Sequence, residues 1–264
     1  MDRPQKPRPI EWSIKARSAE VYAGFLLPYL RPGMTVLDCG CGEATITLGL
    51  AEIVHTGWVA AVDLDKNSFA AARRHALSIG RRNLALTVAD GRQLPFHNAA
   101  FEAVLCHVLE VVDDPARAVA ELRRVTKSGG VVGAASVEYG GIIIGGEKTA
   151  GPRRFYDIRQ RLWRAERIAE PNMGRHLRGL FEEAGFARVE AFATYISYGT
   201  PDLVMAFARD RAAECRDPEP RAAVMRHAIA SLEDLNDLAV AWEEWGEEPA
   251  AFFAFPWCRV LAWP

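Results

Sequence analysis

The sequence is short of the features that would assign it quickly. No apolar run reaches the length of a bilayer span, so no segment reads as a transmembrane helix. Positive charge is not in excess, with 32 Lys and Arg against 34 Asp and Glu, and the overall basic footprint of a duplex-binding domain is missing. There is no internal repeat and no low-complexity tract. No H-E-x-x-H occurs, and the C-x-C at Cys39 and Cys41 has no second C-x-C or C-x-x-C to complete a zinc site. The 5 cysteines are odd in number and do not form a disulfide framework, which fits a reducing compartment. The opening "MDRPQKPRPIEW" lacks the apolar stretch of a secretory leader. Together these absences predict a cytoplasmic protein without metal, nucleic acid partner or membrane insertion.

What is present is an ordinary globular composition, 50% hydrophobic and 25% charged over 264 residues. Pro4, Pro7 and Pro9 predict a mobile or extended arm, followed by a helix from Ile14 to Leu30. Short apolar runs then alternate with helical stretches. "MTVLDC", "WVAAVDL", "LALTVAD", "FEAVLCH" and "GGVVGAASVE" are apolar almost throughout, as strands covered on both faces are. Between them lie "EATITLGLAEIVH", "NSFAAARRHALSIG" and "DPARAVAELRRVT", so the order is that of a doubly wound α/β sheet. Asn67 and Asp114 are placed to cap helices, and Gly80 to end one.

Chemistry concentrates in "VLDCGCGEATITLGLAE", Val36 to Glu52. A strand that ends in G-x-G and enters a helix brings backbone N–H groups to one point and lets a ligand approach closely. The dinucleotide pattern G-x-G-x-x-G/A fails here, because counting from Gly40 and Gly42 the last position is Thr45. Asp38 is more informative. A carboxylate two residues before the first glycine repels a pyrophosphate and attracts an ammonium group. Asp63 ends the second strand, where it can accept from both ribose hydroxyls, and Asp90 ends the third, where it can accept from an adenine amino group. Three acids and a glycine turn describe an amino acid portion, a ribose and an adenine without phosphate, which is S-adenosyl-L-methionine.

On these residues the stretch from Met34 to Val137 resembles the class I S-adenosylmethionine-dependent methyltransferases, particularly the small-molecule branch similar to the ubiquinone and menaquinone methyltransferases. "VLDCGCGEA", "VAAVDLD", "VADGRQLPFHNAAFEAVLCHVLEVVDDPARAVAELRRV" and "TKSGGVV" carry the resemblance. It implies that Asp38 holds the amino group, that Gly40 and Gly42 allow close approach, that Asp63 holds the ribose and Asp90 the adenine N6. It also implies that Gly91 meets the ring edge, that Leu64 packs on the adenine, and that Cys106 and His107 lie by the methionine portion and face the acceptor. His107 is then either a general base or a wall of the pocket. The family often has a third glycine where this chain has Ala44.

The implied fold is a mostly parallel seven-stranded Rossmann-like sheet with a C-terminal antiparallel hairpin and helical cap insertions. Along the chain this gives an N-terminal arm and helix over residues 1–30 and a cofactor-binding core over 31–138. An insertion and helix follow over 139–186, and the last two strands with inserted cap helices over 187–264, all in a single domain. The glycine-rich stretch after Val137 and its amphipathic segment with Phe155, Ile158, Leu162 and Trp163 read equally as a packed surface insertion or as a lid. Residues 202–245 read as one or two helices, and Trp242, Trp245, Trp257 and Trp263 as packing residues. Tyr139, Glu138, Tyr156 and Arg154 are weaker candidates for contact with the acceptor.

The expected activity is methyl transfer to oxygen, nitrogen or carbon of a small metabolite. An alternative keeps the same pocket for a non-methylating reaction such as a cyclisation, with the cofactor structural. A nucleic acid base methyltransferase is disfavoured, because "CHVL" stands where such enzymes carry N/D/S-P-P-Y/F.

Overall fold

The computed structural model describes residues 17–264. The arm with Pro4, Pro7 and Pro9, and the start of the helix expected from Ile14, lie outside the described residues. In chain order the elements are α1 (Ala19–Tyr22), β1 (Thr35–Cys39), α2 (Thr45–Ile53), β2 (Trp58–Asp63), α3 (Ser68–Ser78), β3 (Leu84–Val88), β4 (Phe101–Cys106), α4 (Pro115–Val125) and β5 (Thr126–Val137). Then come β6 (Ile143–Gly145), α5 (Ala150–Ala165), α6 (Leu177–Glu183), β7 (Arg188–Tyr198), α7 (Pro201–Arg216), α8 (Pro218–Arg226), α9 (Leu232–Gly246) and β8 (Phe252–Trp263).

The strands form an 8-stranded sheet in the order β3-β2-β1-β4-β5-β8-β6, with β7 also paired to β8. The pairings among β1 to β5 are parallel, and β6 runs antiparallel to β8. This is a doubly wound α/β sheet with one strand more than the seven expected. The addition is β6, whose Ile143 and Ile144 pair with Ala254 and Phe253. A strand of three residues is too short to show a period-two pattern, which is why it is hidden in a glycine-rich stretch.

The chain divides into two compact units. The core unit holds residues 17–136, Met173–Ala193 and Cys258–Pro264; the helical unit holds Val137–Asn172 and Thr194–Trp257.

In the core unit both sheet faces are covered, which accounts for the continuous apolar strands. Leu37, Val104 and Val132 join Leu122 of α4 and Phe181 of α6 in one cluster. Val36, Ala103, Leu105 and Val131 join Leu50 of α2, Leu26 and Leu261 in the other. Helix punctuation agrees in part. Asp114 accepts from the Arg117 N–H at 3.0 Å, with Pro115 in the first turn of α4. Asn67 makes no side-chain cap on α3; instead Asp65 accepts from the Asn67 N–H at 2.9 Å. The helix expected to reach Leu30 is a single turn. Ala23 leaves the helical region at φ −112°, a side chain at Gly24 would run into the Glu20 carbonyl, and Pro28 lies in the 3-10 turn Leu27–Tyr29.

The helical unit is built on aromatic rings. Trp242 and Trp245 are fully buried, and Phe155, Tyr156, Phe207 and Phe253 surround Trp242 and one another at ring separations of 4.4 to 6.1 Å. The apolar face of α5, with Phe155, Ile158, Leu162 and Trp163, is buried within this unit. Within it Arg159 pairs with Glu214, and Arg211 pairs with the same carboxylate at 2.9 Å. Residues 202–245 form three helices rather than one or two. Asp217 caps α8 from just before Pro218, and Ser231 with Asp234 forms a capping box at the start of α9, so two breaks interrupt the run.

Candidate functional site

The site begins at the C-terminal end of β1, where the chain must turn from strand into α2. Gly40 and Gly42 take φ of +85° and +52°, and a side chain at Gly40 would run into Val108. The Gly40 and Cys41 N–H groups donate to the Val62 carbonyl at 2.8 and 3.0 Å, which ties the turn to β2. Ala44, the N-cap of α2, is left-handed at φ +60°. Glycine avoids the steric penalty of about 1–2 kcal/mol at such a position, so a glycine there has a plain physical reason and this chain bears the small cost of alanine.

Two of the expected residues, Gly42 and Asp63, are joined here by a hydrogen bond, and the charge of Asp63 reaches Asp38. Asp38 is buried and accepts from the Thr47 hydroxyl of α2 at 2.6 Å. Burial pushes its pKa up to about 6; the Thr47 bond pulls the other way, and the charge of Asp63 adds to the rise. Asp63 accepts from the Gly42 N–H at 2.8 Å and from the Asp65 N–H at 2.9 Å. Beyond Gly42 the position a Cβ would occupy is open, with no atom within 4 Å, and Leu64 is 67% exposed.

The third strand end arrives differently. Both Asp90 oxygens are held by the Arg92 guanidinium, Nε donating to Oδ1 at 3.0 Å and Nη2 to Oδ2 at 2.7 Å. Gly91 lies against the first strand, since a Cβ on it would stand 3.1 Å from the Cys39 sulfur. The fourth strand end reaches the turn through Val108, which covers Gly40.

Cys106 and His107 point to opposite sides. Cys106 is buried in the same cluster as Cys39, its register partner on β1, with which it shares a hydrogen bond. The hydrogen bond with Cys106 and then burial raise the Cys39 thiol above its ordinary range, and burial with the charges of Asp38 and Asp63 raises that of Cys41, so neither is a ready thiolate. His107 is buried beside Phe25, at 6.5 Å between ring centroids. Burial first, then the charges of Arg17 and Arg259, push its pKa down to about 3. Two residues of this region escaped sequence reasoning. Glu110 is buried, accepts from the Ser136 hydroxyl at 2.7 Å, and burial pushes its pKa up to about 7. Thr47, the partner of Asp38, sits nine positions away along the chain and carries no signal that links them. The weaker candidates Tyr139, Glu138, Tyr156 and Arg154 all fall in the helical unit, where Arg154 pairs with Asp234 at 2.5 Å.

A parallel sheet whose strand ends carry a glycine turn and acids defines a class, and the comparisons agree with it. Residues 36–130 match the family described as "Methyltransferase domain", and this match together with the named methyltransferase relatives supports an enzyme. Among individual proteins it is similar to the probable methyltransferase ltbC of Aspergillus luteorubrus, 27% identical over 94% of this chain and 92% of that one. It is also similar to the demethylmenaquinone methyltransferase of Corynebacterium efficiens, 35% identical over 38% of this chain and 40% of that one. The chain thus spans nearly all of the first relative and less than half the length of the second. In fold it resembles the [4+2]-cyclase SpnF, with a TM-score of 0.57 at 18% identity over 93% of this chain and 81% of that one.

Proposed function

We propose that the chain binds S-adenosyl-L-methionine at the glycine turn and transfers its methyl group to a small-molecule acceptor. The observation that carries this reading is Asp38, a buried carboxylate beside a second carboxylate, Asp63. Two like charges so placed are costly alone and favour a cationic ligand. The open space at Gly42 and the exposed Leu64 suit the remainder of the cofactor. The names of the relatives, methyltransferases of which one acts on demethylmenaquinone, support a small acceptor.

On this reading Asp38 receives the ammonium group, Gly40 and Gly42 admit the methionine portion, and Asp63 accepts from the ribose hydroxyls. Asp90, steadied by Arg92, accepts from the adenine amino group. Gly91 borders the ring edge, Leu64 covers its face, and Cys106 backs the turn from within the core. When bound, the cofactor supplies a methyl group already activated on a sulfonium. The chain's own residues bind, orient and keep water away, so that acceptor and methyl carbon meet in line.

His107 serves as a pocket wall. An imidazole whose pKa is pushed down to about 3 is neutral at working pH but too weak a base to draw a proton efficiently. We expect His107→Gln to lower methyl transfer by less than about 10-fold and to leave the pH–rate profile unchanged between about pH 6 and 9. Loss of a general base would instead cost about 100-fold or more.

The function is tested by calorimetry with S-adenosylmethionine, for which a micromolar-range Kd is expected, and by following a tritiated methyl group from the cofactor into a panel of small acceptors. Absence of binding at about 1 mM, above the usual range for a substrate, would overturn the reading. Substrate turnover with the label retained on the cofactor would assign the pocket to a non-methylating reaction such as cyclisation.

A further inference from the structure

Strand β8, "FFAFPWCRVLAW", contains one charged residue, Arg259. Strand alternation sets Arg259 on the same face as Leu261, which packs with Ala23, Leu26 and Leu30, and as Trp263 beside them. An apolar residue belongs at such a position, yet a guanidinium stands there at 8% exposure. Its Nη2 donates to the Val21 carbonyl at 3.2 Å, and its central carbon lies 5.1 Å over the Phe25 ring. Its Nε–H reaches no acceptor, and among the described residues no carboxylate pairs with it. A buried charge without an opposite charge is expensive; burial accordingly lowers the Arg259 pKa with nothing to offset it.

The surroundings show what would relieve that cost. Phe25 links Arg259 to His107 on one side and to Phe192 on the other, the second at 6.1 Å between centroids. Phe192 is 39% exposed, so the cluster opens to the surface. Among the described residues the charged groups that face His107 are Arg17 and Arg259, both cationic, while the carboxyl of Glu110 faces Ser136 and Arg17. The residue after His107 is Val108, which covers the glycine turn at Gly40.

We propose that Arg259 binds the acceptor's anionic group, and that the acceptor is a small aromatic acid whose carboxylate rests on the guanidinium and whose ring lies against Phe25 and Phe192. A guanidinium with an idle Nε–H is suited to a planar carboxylate, which it can grip with two parallel bonds. One buried cation matches one negative charge. The proposal rests on the methyltransferase reading above, which makes the end of β4 the place where an acceptor sits.

The test uses the full chain saturated with S-adenosylhomocysteine and titrated with benzoate and with its neutral isostere benzamide. Benzoate is expected to bind at least about 10-fold more tightly, the gain of a charge-assisted pair. Arg259→Met, which keeps the length and packing of the side chain, should abolish that preference while S-adenosylhomocysteine affinity stays within about 2-fold. Arg259→Lys should retain part of it. Equal binding of the two probes, no binding of benzoate, or a preference that survives Arg259→Met would each overturn the proposal. Should Arg259→Met fail to fold by circular dichroism, the wild-type comparison and Arg259→Lys decide. Failure of S-adenosylhomocysteine to bind would count against the methyltransferase reading instead, and the same titration on the chain without it would still decide the role of Arg259.

Discussion

Asp63→Ala is expected to weaken S-adenosylmethionine binding by about 100-fold, or about 2.7 kcal/mol. Two effects combine. The ribose would lose a charged acceptor for its hydroxyls, and hydrogen bonds to charged groups are worth about 1.5–3 kcal/mol each. The Gly42 and Asp65 N–H groups would also lose the oxygens that receive them at 2.8 and 2.9 Å, so the turn that admits the cofactor would loosen before any ligand arrives. The sheet itself should survive, because Asp63 is the last residue of β2 and belongs to neither core cluster. Calorimetry and a thermal melt on the same preparation separate the two. An affinity within about 3-fold of wild type would remove Asp63 from the cofactor site, whereas Asp63→Asn, which still offers one acceptor oxygen, should fall between.

The sequence displayed the sheet because burial on both faces leaves strands apolar without interruption, as Val36 and Leu37 do by entering opposite clusters. It displayed Asp38 and Asp63 because their offsets from the glycines and strand ends are local. What stayed hidden depends on contacts between distant segments. The Thr47 bond to Asp38 and the Val108 cover on Gly40 leave no periodic trace. The Arg92 clasp of Asp90 spans only two residues, but a neighbouring charge does not by itself say which way a side chain turns. The single-turn α1 had a visible signal in Gly24 and Pro28, outweighed by the apolar spacing of Val21, Phe25 and Leu26. Arg259 was likewise in plain view as the lone charge of an apolar strand, and only its burial gives that position chemical meaning.

Acid should separate affinity from stability at Asp38. Its folded pKa of about 6 stands above the ordinary 3.8, chiefly because burial disfavours the charged form. In the ligand-free chain this residue's contribution to stability is therefore fully present below the unfolded value and is lost as the pH rises through 6. An ammonium ligand selects the ionised form, so below pH 6 binding must first expel a proton. S-adenosylmethionine affinity should hold a plateau above about pH 7, then fall roughly 10-fold by pH 5 and roughly 100-fold by pH 4. Thermal stability alone cannot isolate Asp38. Glu110, raised to about 7, acts in the same sense, and His107, lowered to about 3, acts in the opposite one. Asp38→Asn supplies the separation: it should bind about 100-fold more weakly at pH 7.5, with the acid-dependent fall abolished. If wild-type affinity changes by less than about 2-fold between pH 7.5 and 5, Asp38 does not receive the ammonium group. The charge pairing that distinguishes this turn from a phosphate-binding one would then have to be carried by Asp63.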